Sequence, residues 1–194
     1  MEIEVVLVLK TKEILDEKDK RLRVVSKEVT FPLTKEDKKL IDTMIEYLHD
    51  SQIDEIAQEY DLRPGMGLSA IQLGVAKRFF VVVDEISDPD AEEKEFDTYI
   101  LINPRIISNS MEKIYVEEGE GCLSVNRPVE GIVPRYARVT VEAYDMEGRK
   151  INVRAREDLA ICFQHEIDHL NGVLFIDHID PKNPFKDKEL YRGI

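Results

Sequence analysis

The chain has 194 residues, of which 43% are apolar and 35% are charged, and its formal net charge is −13. A chain of this length can bury roughly 70% of its unfolded surface, so we expect one domain over residues 1–194. No apolar run approaches the ~20 residues of a membrane span, and residues 1–9 lack the basic flank of a secretory signal. We therefore expect a cytoplasmic protein without membrane contact. Its acidic surface should repel nucleic-acid backbones, and no specific nucleic acid is expected as a partner.

The first part of the chain predicts a strand, two helices and a buried strand. Residues 1–9 are rich in β-branched residues, which is typical of a strand. Thr34 precedes a charged run that resembles a helix N-terminus, and apolar residues recur at helical spacing from Leu40 to Leu48. A second helical stripe runs from Ile53 to Tyr60, and both stripes are expected to face the core. The unbroken apolar run Phe79–Val83 predicts a buried strand.

The second part predicts an antiparallel sheet and a long helix. The acidic run Asp84–Asp97 is typical of a solvated loop, and the segment beyond Ile176 is expected to be irregular. Helical periodicity spans Leu159–Leu170, and Asn171-Gly172 should end that helix. Four further strands are predicted, the last two as a hairpin: Tyr99–Ile107, Ile114–Val116, Arg138–Tyr144 and Lys150–Ala155. Because these strands follow one another without helices between them, the sequence predicts an α+β fold, with antiparallel β-sheets packed around the C-terminal helix.

That helix carries a histidine pair, His165 and His169, in an HExxH pattern. Residues four apart lie on the same helix face, so both imidazoles can bind one metal ion, with Glu166 beside it as a candidate proton carrier. A metal site of this kind needs a third protein ligand, and a cysteine, His178 or a carboxylate could supply it.

The two cysteines differ in their suitability as that ligand. Cys162 is seven residues from His169, or about 10.5 Å along the helix axis, which favours a core or pocket-wall residue. Cys122 follows the glycine-containing segment Glu118–Gly121, which could present both a thiolate and a free backbone N–H. Taken alone, Cys122 could equally be a buried inert cysteine. Beside the histidine pair, the interpretation as a thiolate ligand is favoured.

Three stretches of the chain resemble, in order and spacing, the three motifs of the peptide deformylase family: Gly65–Gln72, Glu120–Ser124 and Gln164–His169. The resemblance covers about Leu22 to His178. Within the family, the chain is most similar to the Gram-positive-type subclass. The sequence departs from the family pattern at several positions: Ser69, Ile71, Asn126, Arg127 and Asp158.

The resemblance implies a metal-dependent hydrolase that removes the N-formyl group from the initiator methionine of nascent peptides and releases formate. The substrates would be N-formyl-methionyl peptides, and a transient ribosome contact is expected because the substrate is a nascent chain. The metal would be one divalent ion, with Fe²⁺ preferred by resemblance, while the residue types equally allow Zn²⁺, Ni²⁺ or Co²⁺.

The resemblance also assigns roles to individual residues. Glu166 would carry the proton, while the side-chain amide of Gln72 and the backbone N–H of Leu123 would stabilise the oxyanion. An ion pair between Glu120 and Arg135 would support the metal site. The implied metal ligands are Cys122, His165 and His169, and the implied substrate-binding residues are Gly65, Met66, Gly67, Ile161 and Cys162.

Two other functions fit parts of the pattern. A zinc endopeptidase can use the same histidine–glutamate motif, but its third ligand is usually a histidine or a glutamate, which Cys122 does not match. A non-catalytic deformylase-like metal-binding module would be expected to close its site with four protein ligands, whereas three emerge here. Taken alone, Gly65 and Gly67 are also consistent with a tight turn, and Gln72 with an ordinary helix surface.

Overall fold

The computed structural model describes residues 9–88, 91 and 94–194. Apart from Leu9, the strand predicted over residues 1–9 lies outside them. Within the described ranges the α-helices are α1 (Lys35–Ser51), α2 (Asp54–Tyr60) and α3 (Glu157–Leu170). The β-strands are β1 (Gly67–Ser69), β2 (Phe79–Glu85), β3 (Phe96–Asn109), β4 (Lys113–Tyr115), β5 (Arg135–Tyr136), β6 (Arg138–Tyr144), β7 (Lys150–Arg156) and β8 (Arg192–Gly193).

The strands form two sheets. The larger is antiparallel, with the order β1-β2-β3-β6-β7, and the predicted hairpin of β6 and β7 is present. The smaller has the order β5-β4-β8. The predicted α+β class is confirmed. One expectation was wrong, because the C-terminal segment is not irregular throughout: Arg192 pairs with Ile114 in a parallel ladder.

Strand β2 explains why the central sheet is buried on both faces. Its side chains alternate, with Phe79 and Val81 in the hydrophobic cluster beneath α1 and Phe80 and Val82 in the cluster beneath α3. A strand covered on both faces needs a continuous apolar run rather than alternation, which is the pattern in the sequence. The two helices therefore enclose the sheet from opposite sides.

The strands flanking the acidic run are longer than predicted. Backbone pairing continues through Asp84 with Asp97 and through Glu85 with Phe96. The prediction of a loop over Asp84–Asp97 was therefore wrong at both ends, because ladder hydrogen bonds continue beyond the apolar run that ends at Val83.

Helix α1 is positioned as predicted, whereas α2 is more exposed. The Thr34 side chain accepts a hydrogen bond from the Asp37 N–H at 3.1 Å, which caps α1. The stripe predicted in α2 was wrong in its burial: Ile56 is half-buried and Tyr60 is exposed. Among the described residues, no helix combines the length and apolar character that crossing a membrane requires.

Candidate metal centre and substrate cavity

Helix α3 is buried around most of its circumference and brings polar side chains into the interior. Nine of its 14 residues are buried, so it lies between layers rather than on the surface. His165, Glu166 and His169 are only 8%, 3% and 0% exposed. Since polar groups are rarely buried without a partner or a ligand, this stretch of α3 is a candidate functional site.

Cys122, His165 and His169 meet at one point. Each offers one ligand atom, and these atoms all lie within 4.8 Å of one another. The Cys122 Sγ lies 3.2 Å from the His169 Nε2. One sulfur and two nitrogens this close together are a donor set that suits a divalent transition-metal ion, and three protein ligands would leave room for a water. His178, the other histidine considered above, instead contacts the Asp168 Oδ2 through Nε2 at 2.7 Å.

Glu120 fixes the orientation of His165. The His165 Nδ1 lies 2.9 Å from the Glu120 Oε2, which leaves Nε2 to face the ligand group. Arg135 donates from Nε to the Glu120 Oε1 at 2.7 Å, so the predicted ion pair forms, and both side chains are about 5% exposed or less. Burial alone would raise the pKa of Glu120, but hydrogen bonds from His165 and Arg135 outweigh it and lower the pKa to about 2.

The second histidine has an orphaned ring nitrogen. The His169 Nδ1 is buried and has no hydrogen-bond partner among the described residues. Burial, and then the nearby His165, lower the pKa of His169 well below its ordinary value. His169 is therefore a neutral imidazole, which is the form that binds metals.

Glu166 lies against the first glycine-rich motif. The Ser69 Oγ donates to the Glu166 Oε2 at 2.7 Å. A Cβ at Gly67 would lie 2.6 Å from the Glu166 Oε1 and 2.8 Å from the Cys162 Sγ, so a side chain there would force them to shift. Gly67 lies in strand β1, so it allows a close backbone approach to α3 and does not form a tight turn. Burial is the main cause of the raised pKa of Glu166, and His165 and Ser69 partly oppose it.

Gln72 and Leu123 lie beside the cysteine. Gln72 is 1% exposed, which excludes a helix-surface position. Its Oε1 accepts from the Ser69 N–H at 2.9 Å, while its Nε2 lies 3.1 Å from the Ser124 Oγ and 3.8 Å from the Cys122 Sγ. The Leu123 N–H donates to no other residue in the described part of the chain. Two donors therefore lie close to the candidate metal ligands.

Most of the predicted site residues line one cavity of about 480 Å³. Asp158 contributes to the wall of this cavity, whereas His169 is not among its lining residues. Burial, followed by the charge of Glu166, raises the pKa of Cys162 well above its ordinary value, so this wall thiol is neutral. The predicted residues that line the cavity are Gly65, Met66, Gly67, Gln72, Cys122, Leu123, Ile161, Cys162, His165 and Glu166.

Arg63 is a site residue that the sequence reasoning missed. Its guanidinium donates to the backbone oxygen of Cys122 and to the Asn126 side chain, and it lines the cavity. These contacts hold the loop that carries the cysteine against the first motif. The only signal in the sequence was its position directly before Pro64-Gly65, and that position does not reveal a partner 59 residues away in the chain.

Comparison with known proteins gives a consistent result. The family model for polypeptide deformylase matches residues 11–185. Peptide deformylase 2 from Bacillus anthracis is 46% identical over 177 residues, which are 91% of this chain and 94% of that protein. The crystal structure of Arabidopsis thaliana peptide deformylase 1B superposes with a TM-score of 0.69 at 28% identity, covering 87% of this chain and 82% of that one.

A third relative carries a peptide. The Met-Ala-Ser-bound crystal structure of a class I type b peptide deformylase from Acinetobacter baumannii has a TM-score of 0.66 at 26% identity. The match covers 86% of this chain and 96% of that one.

A sulfur–nitrogen ligand group beside a buried carboxylate, open to one cavity, defines a metal-dependent hydrolase. The family model and the similar proteins then identify the family within this class of hydrolases. The chain belongs to the polypeptide deformylase family. It is therefore an enzyme, and its family depends on a metal.

Proposed function

We propose that the chain removes the formyl group from N-formyl-methionyl peptides during their synthesis, which yields formate and a free N-terminal methionine. The observation that carries this proposal is the convergence of Cys122, His165, Glu166 and Gln72 on one cavity. The Met-Ala-Ser peptide bound to the Acinetobacter baumannii relative has the form of such a product. Because the substrate is a nascent chain, we place the reaction in the cytoplasm, with a transient ribosome contact.

Cys122, His165 and His169 would hold the metal, for which we propose Fe²⁺, with Zn²⁺, Ni²⁺ and Co²⁺ as ions that suit the same donors. A divalent ion bound there would lower the pKa of a water in its open position, so that hydroxide is available near neutral pH. Glu120 and Arg135 hold His165 in the orientation that this binding requires.

Glu166 is the proton carrier in this proposal. Its carboxylate takes a proton from the attacking water and passes it to the leaving amine of methionine. Its raised pKa suits both steps, because a group that must accept and then release a proton works best when its pKa approaches the working pH. The Gln72 Nε2 and the Leu123 N–H donate to the formyl oxygen as negative charge develops on it.

The peptide would bind along β1 as an added strand. Strand β1 is an edge strand that pairs only with β2 in the described sheet, so its other side offers backbone N–H and C=O groups. Gly65 and Gly67 flank Met66 on the cavity wall at the start of this edge. Met66, Ile161 and Cys162 then form the apolar wall that takes the methionine side chain.

The ligand set argues against the two alternatives. A zinc endopeptidase of the HExxH type uses a histidine or a glutamate as its third ligand, whereas Cys122 occupies that place here. A structural site would be closed by four protein ligands, whereas three converge here among the described residues, and two of them, Cys122 and His165, line a cavity.

The decisive test replaces Glu166 with glutamine, which keeps the volume but removes the base. We expect kcat for formate release from formyl-Met-Ala-Ser to fall by about 10²–10⁴-fold, with the metal content unchanged. Formate release at the wild-type rate by a metal-loaded Glu166→Gln protein would refute the proton-carrier role. Cleavage of an internal peptide bond with the formyl group left intact would favour the endopeptidase.

The two cysteines provide a matched test of the metal site. Cys122→Ser should lose the metal, because a hydroxyl is a far weaker ligand than a thiolate, whereas Cys162→Ser should keep it. The measurement is metal analysis of protein purified without oxygen, which also identifies the ion. Iron in the wild type and in Cys162→Ser supports the assignment, whereas equal metal content in both variants contradicts it.

A further inference from the structure

A group of arginines on the large sheet lies apart from the cavity. Arg138 on β6 is paired directly opposite Arg156 on β7, and Arg154 lies two residues along the same strand, opposite Thr140. Side chains two apart point to the same face, so the three guanidinium groups share one surface. We call Arg138, Arg154 and Arg156 the arginine patch. They line a depression of about 460 Å³ together with the hydroxyl residues Ser108, Ser110 and Thr140.

The arginine patch is a local excess of positive charge on an acidic protein. Arg138 donates to the Glu112 Oε2 at 3.0 Å, but Arg192 also uses that carboxylate. Arg154 and Arg156 form no ion pair with any described residue. Exposed arginines elsewhere in the described chain pair with carboxylates: Arg21 with Asp19, Arg127 with Glu17 and Arg149 with Asp145.

This arrangement costs stability in the isolated protein. Like charges directly opposite each other on neighbouring strands repel. Helix α1 does not relieve the repulsion, because it packs on β1, β2 and β3. All three arginines are exposed, on the sheet face that α1 covers elsewhere. An anionic partner would offset the repulsion.

We propose that the arginine patch binds the phosphate backbone of RNA. This inference rests on the proposed action on nascent peptides, which emerge beside the RNA of the ribosome, and it names the surface that makes the contact. The guanidinium group of arginine presents a planar fork of N–H donors that matches the geometry of phosphate oxygens. The serine and threonine hydroxyls beside it can also donate to phosphate. Arg154 and Arg156 are about 7 Å apart along the strand and Arg138 is about 5 Å across from Arg156, so neighbouring phosphates can be contacted together.

The negative charge of the rest of the molecule should orient the protein as it approaches RNA. With a net charge of −13, the protein as a whole repels RNA, so we expect the arginine patch to be the surface that faces it. Contacts of this type read the backbone and not the bases, so the expectation of no specific nucleic acid is compatible with them. The binding is weak and depends on salt, which suits an enzyme that must move from one ribosome to the next.

The test uses the full metal-loaded chain and a fluorescein-labelled RNA hairpin, followed by fluorescence anisotropy. With three phosphate contacts, the affinity should fall roughly 20- to 40-fold between ~50 mM and ~200 mM salt. The triple variant Arg138→Gln, Arg154→Gln and Arg156→Gln should lose this binding. The control Arg21→Gln, Arg127→Gln and Arg149→Gln, with the same change in net charge, should keep it.

Separate readouts distinguish this inference from the proposed function. Both triple variants should release formate from formyl-Met-Ala-Ser at the wild-type rate, so a failure of the RNA assay leaves the deformylase assay intact. The patch variant should also unfold at the same or a higher temperature, because the cross-strand repulsion is gone. Equal RNA binding by the two triple variants would overturn the proposal. So would tighter binding to phosphatidylglycerol vesicles than to RNA at equal phosphate concentration.

Discussion

At the scale of single residues, Glu166, the proposed proton carrier, is held by its neighbours. Glu166 is buried, and the Ser69 Oγ donates its one proton to the Glu166 carboxylate at 2.7 Å, with the Glu166 backbone oxygen also nearby at 3.1 Å. The absence of a side chain at Gly67 leaves room for the same carboxylate. Burying a carboxylate without partners costs free energy. Ser69 supplies a hydrogen bond and Gly67 supplies the space, so both stabilise Glu166 in the cavity wall.

Ser69→Ala should therefore weaken catalysis without disturbing the fold. A hydrogen bond to a charged group contributes about 1.5–3 kcal/mol, so we expect kcat to fall by about tenfold or more. The Ser69 hydrogen bond lowers the pKa of Glu166, so its removal should raise that pKa and move the acidic limb of the rate profile to higher pH. Steady-state kinetics across pH measures both effects.

Ser26→Ala is the matched control for this change. Ser26 is also buried, but its hydroxyl has no hydrogen-bond partner among the described residues. Its replacement should leave kcat and the pH profile unchanged. Identical profiles for wild type and Ser69→Ala would show that Ser69 has only a structural role.

At the scale of the elements, periodicity and capping signals were enough to predict α1, α3 and the β6–β7 hairpin. The ends of β2 and β3 were missed, because their pairing is set by the partner strand and not by the polarity of Asp84 or Asp97. The parallel contact of β8 with β4 was also missed, since residues 192 and 114 meet only in the folded chain. The ligand group was suggested by the spacing of the histidine pair, by the segment before Cys122 and by the family resemblance, whereas the role of Arg63 required coordinates.

Helix α1 offers a test of the capping argument. Thr34→Ala removes the side-chain acceptor for the Asp37 N–H and should lower the free energy of unfolding by about 1 kcal/mol. Thr43→Ala, within α1, is the control and should change stability little or raise it slightly, since alanine favours the helix interior. Urea unfolding measures both, and equal losses in the two variants would contradict the role of the cap.

At the scale of the whole molecule, the site depends on parts of the chain that are far apart in sequence. Arg135, on β5, donates to Glu120 in the cysteine loop and to Asp168 on α3, at 2.7 and 2.5 Å. The small sheet, the loop and the central helix are thus joined by one buried guanidinium. The ion network that orients His165, a proposed metal ligand, is therefore also part of what holds the layers together.

Arg135→Met should destabilise the whole fold. It leaves the Glu120 carboxylate buried without its cation, and the removal of one partner of a buried pair costs about 3–5 kcal/mol, out of the 5–15 kcal/mol typical of a domain. Arg149→Met removes an exposed arginine that pairs with Asp145, and it should cost far less stability. Urea unfolding in the presence of a chelator isolates this effect from metal binding.

The loss in Arg135→Met should also depend on pH. In the folded wild type the pKa of Glu120 is about 2, below its ordinary value of 4.5. The stabilisation from its charged form is therefore complete above pH 4.5 and is lost as the pH falls toward 2. The difference in unfolding free energy between wild type and Arg135→Met should accordingly be large at neutral pH and shrink in acid. A difference that stays constant between these limits would show that Arg135 stabilises the fold by packing and not by its charge.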